Sequence, residues 1–151
     1  GRVEPEVWEA VKQGVVFDVG HGVGSFSWDV AEKALSQGLF PATISTDVHV
    51  YGIDGPVYDL ATTMSKFLYL GLPLENVVRM STSAAAQAVG LGNGIGTLEV
   101  GAEADVSLFE LAEGKFILDD CHKKTVTANQ RLLPYMTLRA GKVVAERGKL
   151  G

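Results

Sequence analysis

A glycine-rich loop directly follows a short β-branched run, and this junction constrains the fold more than any other stretch of the chain. Val15-Val16-Phe17-Asp18-Val19 is short, apolar and flanked by glycine, the pattern of a buried strand. Gly20-His21-Gly22-Val23-Gly24-Ser25 follows as a loop. Residues 27–37 then place Trp28, Ala31, Ala34 and Leu35 at helical spacing, and Gly38 stands where a helix end takes a left-handed residue. Pro41 precedes a second strand, residues 42–47, that ends in polar side chains. Strand, loop, helix, strand is the βαβ unit of a parallel sheet, so the first part of the chain reads as α/β. In such sheets the polar residues at the C-terminal ends of the strands line the ligand crevice.

Helical patterns surround this unit. Residues 6–13 place Val7, Trp8 and Val11 on one face. Residues 59–70 turn Leu60, Met64, Phe67 and Leu68 inward and close on Gly71. Pro73 opens a helix through Met80, and Ser81, Thr82 or Ser83 caps a further one through Val89, closed by Gly90. After Gly90 the texture changes to short strands between glycine-rich turns: residues 96–100, 104–111, 115–118, 123–128 and 136–145, with Ala140-Gly141-Lys142 as a hairpin turn. A boundary near residue 95 divides the chain into segments 1–95 and 96–151, the second expected to form short antiparallel strands.

Composition removes several classes of function. Thirteen basic against eighteen acidic side chains give a net charge of -5, which argues against a nucleic-acid or anionic-membrane surface. A single cysteine, Cys121, excludes an intramolecular disulfide and a cysteine-rich zinc module. No apolar run approaches the roughly 18 residues of a membrane span, and the start lacks an apolar signal-peptide core. A cytoplasmic chain is the expectation. At 151 residues it is too short for a complete (β/α)8 barrel, which takes at least about 200.

Two strand ends carry the candidate chemistry. His21 lies at the first, where it can ligate a metal, move a proton or bond a substrate, or simply be satisfied by loop carbonyls. Asp47 lies 26 residues later, about one β–α repeat, on the same sheet face. A carboxylate there can bind a divalent metal and take a proton from water, or can cap the following turn. His49 faces the same site or the loop. His122 beside Cys121 has no further ligand nearby and reads as a surface turn. The chain has three histidines and no His-x-His, His-Glu-x-x-His, Gly-x-Ser-x-Gly or Walker lysine motif.

The glycine-rich loop resembles the first motif of class I methyltransferases, where Asp47 would hold the ribose of S-adenosylmethionine. A fuller resemblance is to the amidohydrolase superfamily, in its deacetylase, dihydroorotase-like and adenine deaminase-like branch. Three blocks carry it in order. They are Val16-Phe17-Asp18-Val19-Gly20-His21-Gly22 with Gly24-Ser25-Phe26; Pro41-Ala42-Thr43-Ile44-Ser45-Thr46-Asp47 with Asp59-Leu60 and Met64-Ser65-Lys66-Phe67; and Gly96-Thr97-Leu98-Glu99-Val100-Gly101-Ala102-Glu103-Ala104-Asp105-Val106.

That resemblance implies the C-terminal fragment of a TIM-type barrel, its last βα units being residues 1–95, followed by a β-sandwich segment over 96–151. It implies hydrolysis of an amide, cyclic amide or acyl ester bond by metal-activated water, with zinc the expected metal. Asp47 would be the catalytic base and a metal ligand, with His21, Gly22 and His49 on the substrate side. The family's other metal ligands have no counterpart here, so the resemblance implies a chain that binds no metal tightly and is inactive alone. A non-catalytic, oligomerising remnant is the third reading. Open strand edges lead to an expected homo-oligomer, and the parent's partner would be a small molecule.

Overall fold

The computed structural model describes residues 1–92 and 94–148, so the last three residues of the segment expected over 96–151 lie outside the described residues. The chain is mixed α/β. Helix α1 (Pro5–Lys12) leads to strand β1 (Asp18–Gly20), helix α2 (Trp28–Ser36) and strand β2 (Thr43–Ser45). Helices α3 (Leu60–Tyr69), α4 (Leu74–Ser81) and α5 (Ser83–Ala88) follow. Strands β3 (Val106–Asp119), β4 (Thr125–Arg139) and β5 (Lys142–Glu146) complete the fold.

The βαβ unit forms as its sequence dictates. β1 and β2 pair in parallel, Asp18 opposite Thr43 and Gly20 opposite Ser45, with α2 as the connection. The ladder is shorter than the apolar runs suggested. Val15 and Val16 are each 52% exposed, because no ladder partner reaches them among the described residues. Alternation along the strands sets two faces. Ile44 is buried in the core with Val19 packed against it. The opposite face is polar, and there the Asp18 carboxylate accepts hydrogen bonds from Thr43 Oγ1 (2.7 Å) and Ser45 Oγ.

α3 is the centre of the molecule. Asp59 caps it, its carboxylate accepting from the Thr62 N–H at 2.6 Å. Every residue from Ala61 to Leu68 is buried. Met64, Phe67 and Leu68 join Phe26, Trp28, Ile44, Val77 and Met80 in one apolar cluster. The same cluster takes Leu118 from β3 and Ala128 and Leu132 from β4, so residues on both sides of position 95 share a core.

The back segment departs from the expected short strands. The runs expected over 104–111 and 115–118 merge into the 14-residue β3, which starts at Val106. Those over 123–128 and 136–145 give the 15-residue β4, which starts at Thr125, and β5 beyond the turn. β3, β4 and β5 form one antiparallel sheet in that order, and the hairpin at Ala140-Gly141 forms as expected. Gly114 and Pro134 each fall at a register shift. One shift lies between Glu113 and Phe116, the other between Leu108 and Phe109, which pairs with Pro134. A bulge absorbs a residue that cannot fill a regular ladder position. Residues 96–100 form no strand. They have no ladder partner, and Leu98 and Val100 are fully open to solvent.

Polar bonds fasten the sheet to the helices. β5 covers β4 only from Met136 to Arg139. Further along, Ser65 Oγ accepts the Leu132 N–H at 2.9 Å while donating to the Ala61 carbonyl at 2.6 Å. Arg131 donates to Thr62 Oγ1 at 2.8 Å. At the far end Asp120, 2% exposed, accepts from the backbone N–H groups of Trp28, His122 and Lys124 at 2.8–3.1 Å. Trp28 also donates its indole N–H to the Lys124 carbonyl at 3.0 Å. Replacing Asp120 by Ala strands three backbone donors and is expected to cost about 3 kcal/mol or more in urea unfolding. Asp29→Ala removes only the exposed ion pair with Lys124 and is expected to leave the midpoint unchanged.

Candidate active site

The C-terminal ends of β1 and β2 converge as the βαβ pattern requires. The His21 N–H donates to the Ser45 carbonyl at 3.3 Å, and the Gly22 N–H to the Thr46 carbonyl at 2.9 Å. These bonds carry the pairing past the regular strands and bring the glycine-rich loop beside Asp47. Gly22 is buried at φ 51°, and a Cβ there would lie 3.0 Å from Asp47 Oδ2 and 3.1 Å from Ser25 Oγ. Glycine takes both this left-handed backbone and that approach without strain. Asp47 is exposed and itself left-handed, at φ 47°. Gly20 faces the same group of side chains: a Cβ there would stand 3.5–3.6 Å from Asp47 Cβ, Ser45 Oγ and Asp18 Oδ2. The polar face of the sheet and the loop thus share one exposed strand end.

The histidines take different directions. His21 is fully buried, its ring stacked on Phe26 at 4.8 Å between centroids. Nδ1 bonds the Gly22 carbonyl at 2.8 Å and Nε2 meets Lys66 Nζ at 2.6 Å. Both nitrogens are therefore engaged within the chain, and the ring points into the core. Burial and the adjacent ammonium of Lys66 push its pKa down to about 4, so the ring is neutral at pH 7. His49 is exposed. Its Nδ1 accepts the Tyr51 N–H at 3.4 Å and its ring meets Tyr51 edge-on. The structure therefore joins Gly22 to Asp47, and turns the rings of His21 and His49 to other partners.

Lys66 had no assigned role in the sequence. Its ammonium, fully buried, donates to His21 Nε2, to the Pro56 carbonyl at 2.8 Å and to the Asp119 carbonyl at 2.6 Å. Burial lowers its pKa to about 8, against the opposing pull of Asp119 and Asp120, and it stays charged at neutral pH. One signal was present: α3 carries threonine and serine, not long charged side chains, on the face away from its large apolar residues. Small polar residues all round a helix mark it as buried, and its one lysine as partnered.

The sequence matches the amidohydrolase family over residues 7–144. The chain belongs to the amidohydrolase family. A deacetylase of Enterococcus faecalis is 38% identical over 143 residues, 94% of this chain and 38% of that protein. A deacetylase of Brucella anthropi is 38% identical over 136 residues, 89% of this chain and 34% of that protein. Among solved structures, an adenine deaminase superposes with a TM-score of 0.91 at 37% identity, covering 96% of this chain and 39% of that one. A dihydroorotase gives 0.82 at 34% identity, covering 95% of this chain and 38% of that one. The chain thus spans under two-fifths of the length of these relatives. Of the two families its glycine loop resembles, the match is to the amidohydrolases.

Amidohydrolases are generally metal-dependent hydrolases of small molecules. The donor set here does not make a metal centre. Among the described residues no group of three or more His, Cys, Asp or Glu side chains is placed to hold an ion. A zinc site takes three or four protein donors, and this strand end presents the Asp47 carboxylate with the Asp18 carboxylate already bonded across the ladder. No described helix is long and apolar enough to cross a membrane.

The buried pair has a pH signature. His21 is held below its ordinary pKa of 6.5, so between pH 6.5 and about 4 the unfolded chain binds more protons than the folded one. Stability then falls as pH falls through that window, by on the order of 3 kcal/mol if His21 acts alone. Lys66 acts in the same sense between about 8 and 10.5, where stability rises with pH. Urea unfolding at stepped pH checks both, and His21→Gln is expected to flatten the acid limb.

Proposed function

We propose that these residues supply the last strand ends of an amidohydrolase active site that hydrolyses C–N bonds in amides or cyclic amides, or acyl esters. The observation that carries this reading is Asp47 itself: an exposed carboxylate at the end of β2, in a left-handed backbone, seated against Gly22 of the neighbouring strand's loop. Asp47 accepts the proton of the attacking water and passes it to the leaving group. Gly22 and His49 border the substrate, and His21 contributes through the carbonyl it holds. The divalent metal, zinc in this reading, would polarise the scissile carbonyl when bound. Asp47 is the one ligand these residues offer it, and the others would come from residues this sequence does not contain. On this reading the chain alone is inactive.

The same reading places residues 1–95 in the last βα units of a barrel and residues 96–151 in the adjoining β-sandwich. The parallel β1–β2 pair and the antiparallel β3–β4–β5 sheet support that division. A chimera tests the role of Asp47: the corresponding part of the Enterococcus faecalis deacetylase is replaced by this chain. The chimera is expected to deacetylate, and Asp47→Asn within it to lower kcat by about 100-fold or more. Full activity of the Asn variant would remove Asp47 from the chemistry.

The two-stranded parallel sheet also has unpaired outer edges among the described residues, and Val15 and Val16, which lead into β1, are exposed. Such edges invite pairing. We propose that the chain self-associates through them. Sedimentation velocity is expected to show a dimer or larger species, and a stable monomer at micromolar concentration would count against it.

A further inference from the structure

We propose that Lys66 is a positioning residue: its ammonium holds His21 in a single neutral tautomer, and His21 in turn holds Gly22 against Asp47. This deepens the reading of Asp47 given above and rests on it.

Donors and acceptors fix the arrangement. An ammonium has three N–H donors and no acceptor. Lys66 Nζ finds three acceptors: His21 Nε2 at 2.6 Å, the Pro56 carbonyl at 2.8 Å and the Asp119 carbonyl at 2.6 Å. Because the lysine can only donate, His21 Nε2 must be bare. The ring proton is then on Nδ1, which donates to the Gly22 carbonyl at 2.8 Å. The Gly22 N–H donates to the Thr46 carbonyl, one residue before Asp47, at 2.9 Å. The bonds run without a gap from the middle of α3 to the strand end. A reversed tautomer would set two N–H donors against each other at Lys66 and two acceptors at Gly22. Either mismatch is costly where His21 and Lys66 are both fully buried.

The lysine also ties the site to the rest of the fold. Pro56 belongs to the loop before α3, and Asp119 ends β3. One point charge therefore sets the strand end relative to the central helix and to the antiparallel sheet. The Phe26 ring, 5.6 Å from Nζ and stacked on His21, closes the remaining side. Arginine is a poor substitute, because its planar fork cannot send three donors in diverging directions from one atom. The neutral state of His21 and the charged state of Lys66 at pH 7 agree with this arrangement.

Long-range ¹H–¹⁵N spectra of the labelled chain at pH 7 test the first link without any variant. His21 is expected as a pure Nδ1–H tautomer with bare Nε2. An Nε2–H, mixed or protonated ring overturns the proposal. Lys66→Met keeps the stem and removes the charge. It is expected to mix the His21 tautomers and to shift the amides of Gly22, Thr46 and Asp47, while those of the Lys142–Glu146 hairpin strand stay in place. His21→Phe keeps the stack on Phe26 and is expected to move the same three amides, so it stands in if Lys66→Met does not fold. Unmoved Gly22 and Asp47 amides in either folded variant overturn the second link. In the deacetylase chimera, Lys66→Met is expected to lower kcat about tenfold or more with KM within about twofold. The spectra read the relay independently of turnover. If they agree while Asp47→Asn keeps full activity, the role of Asp47 fails and the tautomer assignment stands.

Discussion

A buried positive charge hydrogen-bonded only to neutral acceptors is the constraint on which this structure turns. The ammonium of Lys66 is fully enclosed, and its three bonds go to an imidazole nitrogen and two main-chain carbonyls. Removing an ammonium from water costs several kcal/mol even after relaxation, so each of those bonds must be kept. Keeping them fixes three separate segments at one point: the loop after β1, the loop before α3 and the end of β3. It also explains why His21 is turned inward. Its Nε2 is the acceptor a buried lysine requires, and its Nδ1–H is left to hold Gly22.

The same economy of polar groups runs along α3. Its buried threonines and serine are not errors in an apolar pattern. Ser65 satisfies the Leu132 N–H on a stretch of β4 that β5 does not reach, and Thr62 receives Arg131. A helix thus covers a sheet edge with matching donors and acceptors instead of with apolar contact alone. Asp120 does the equivalent work at the other end, collecting the first N–H of α2 and two from its own turn. These bonds, with the shared core of Phe67, Leu118 and Leu132, join the parallel and antiparallel parts into one body.

Against that frame the strand end is open and polar. Asp47 and the Asp18–Ser45–Thr43 group stand together at the polar face of the sheet. In the function proposed above, this face is one part of a hydrolytic site. On that reading the chain contributes the Asp47 carboxylate and a glycine that lets the backbone come close to it. Among the described residues there is no cluster of metal donors.

Local pattern determined much of this. The glycine loop after a β-branched run, the helical spacing of Trp28, Ala31 and Leu35, and the Asp59 cap are interactions within a few residues of one another, so the βαβ unit and the helix limits could be read from them. The convergence of Gly22 and Asp47 was also legible, because parallel strands one repeat apart must end on the same side. The family resemblance followed from the same motifs. Only the tertiary structure decided the rest. Residues 104–111 and 115–118 read as separate strands, yet pairing along β3 and β4 joined them across a register shift. His21 read either as a strand-end side chain that meets a metal or substrate or as one satisfied by loop carbonyls, and its inward direction was decided with Lys66, 45 residues away. Propensity acts over a turn or two of chain. Which buried donor meets which acceptor depends on segments that become neighbours only when the core closes, and the cost of an unpaired buried charge then leaves one arrangement.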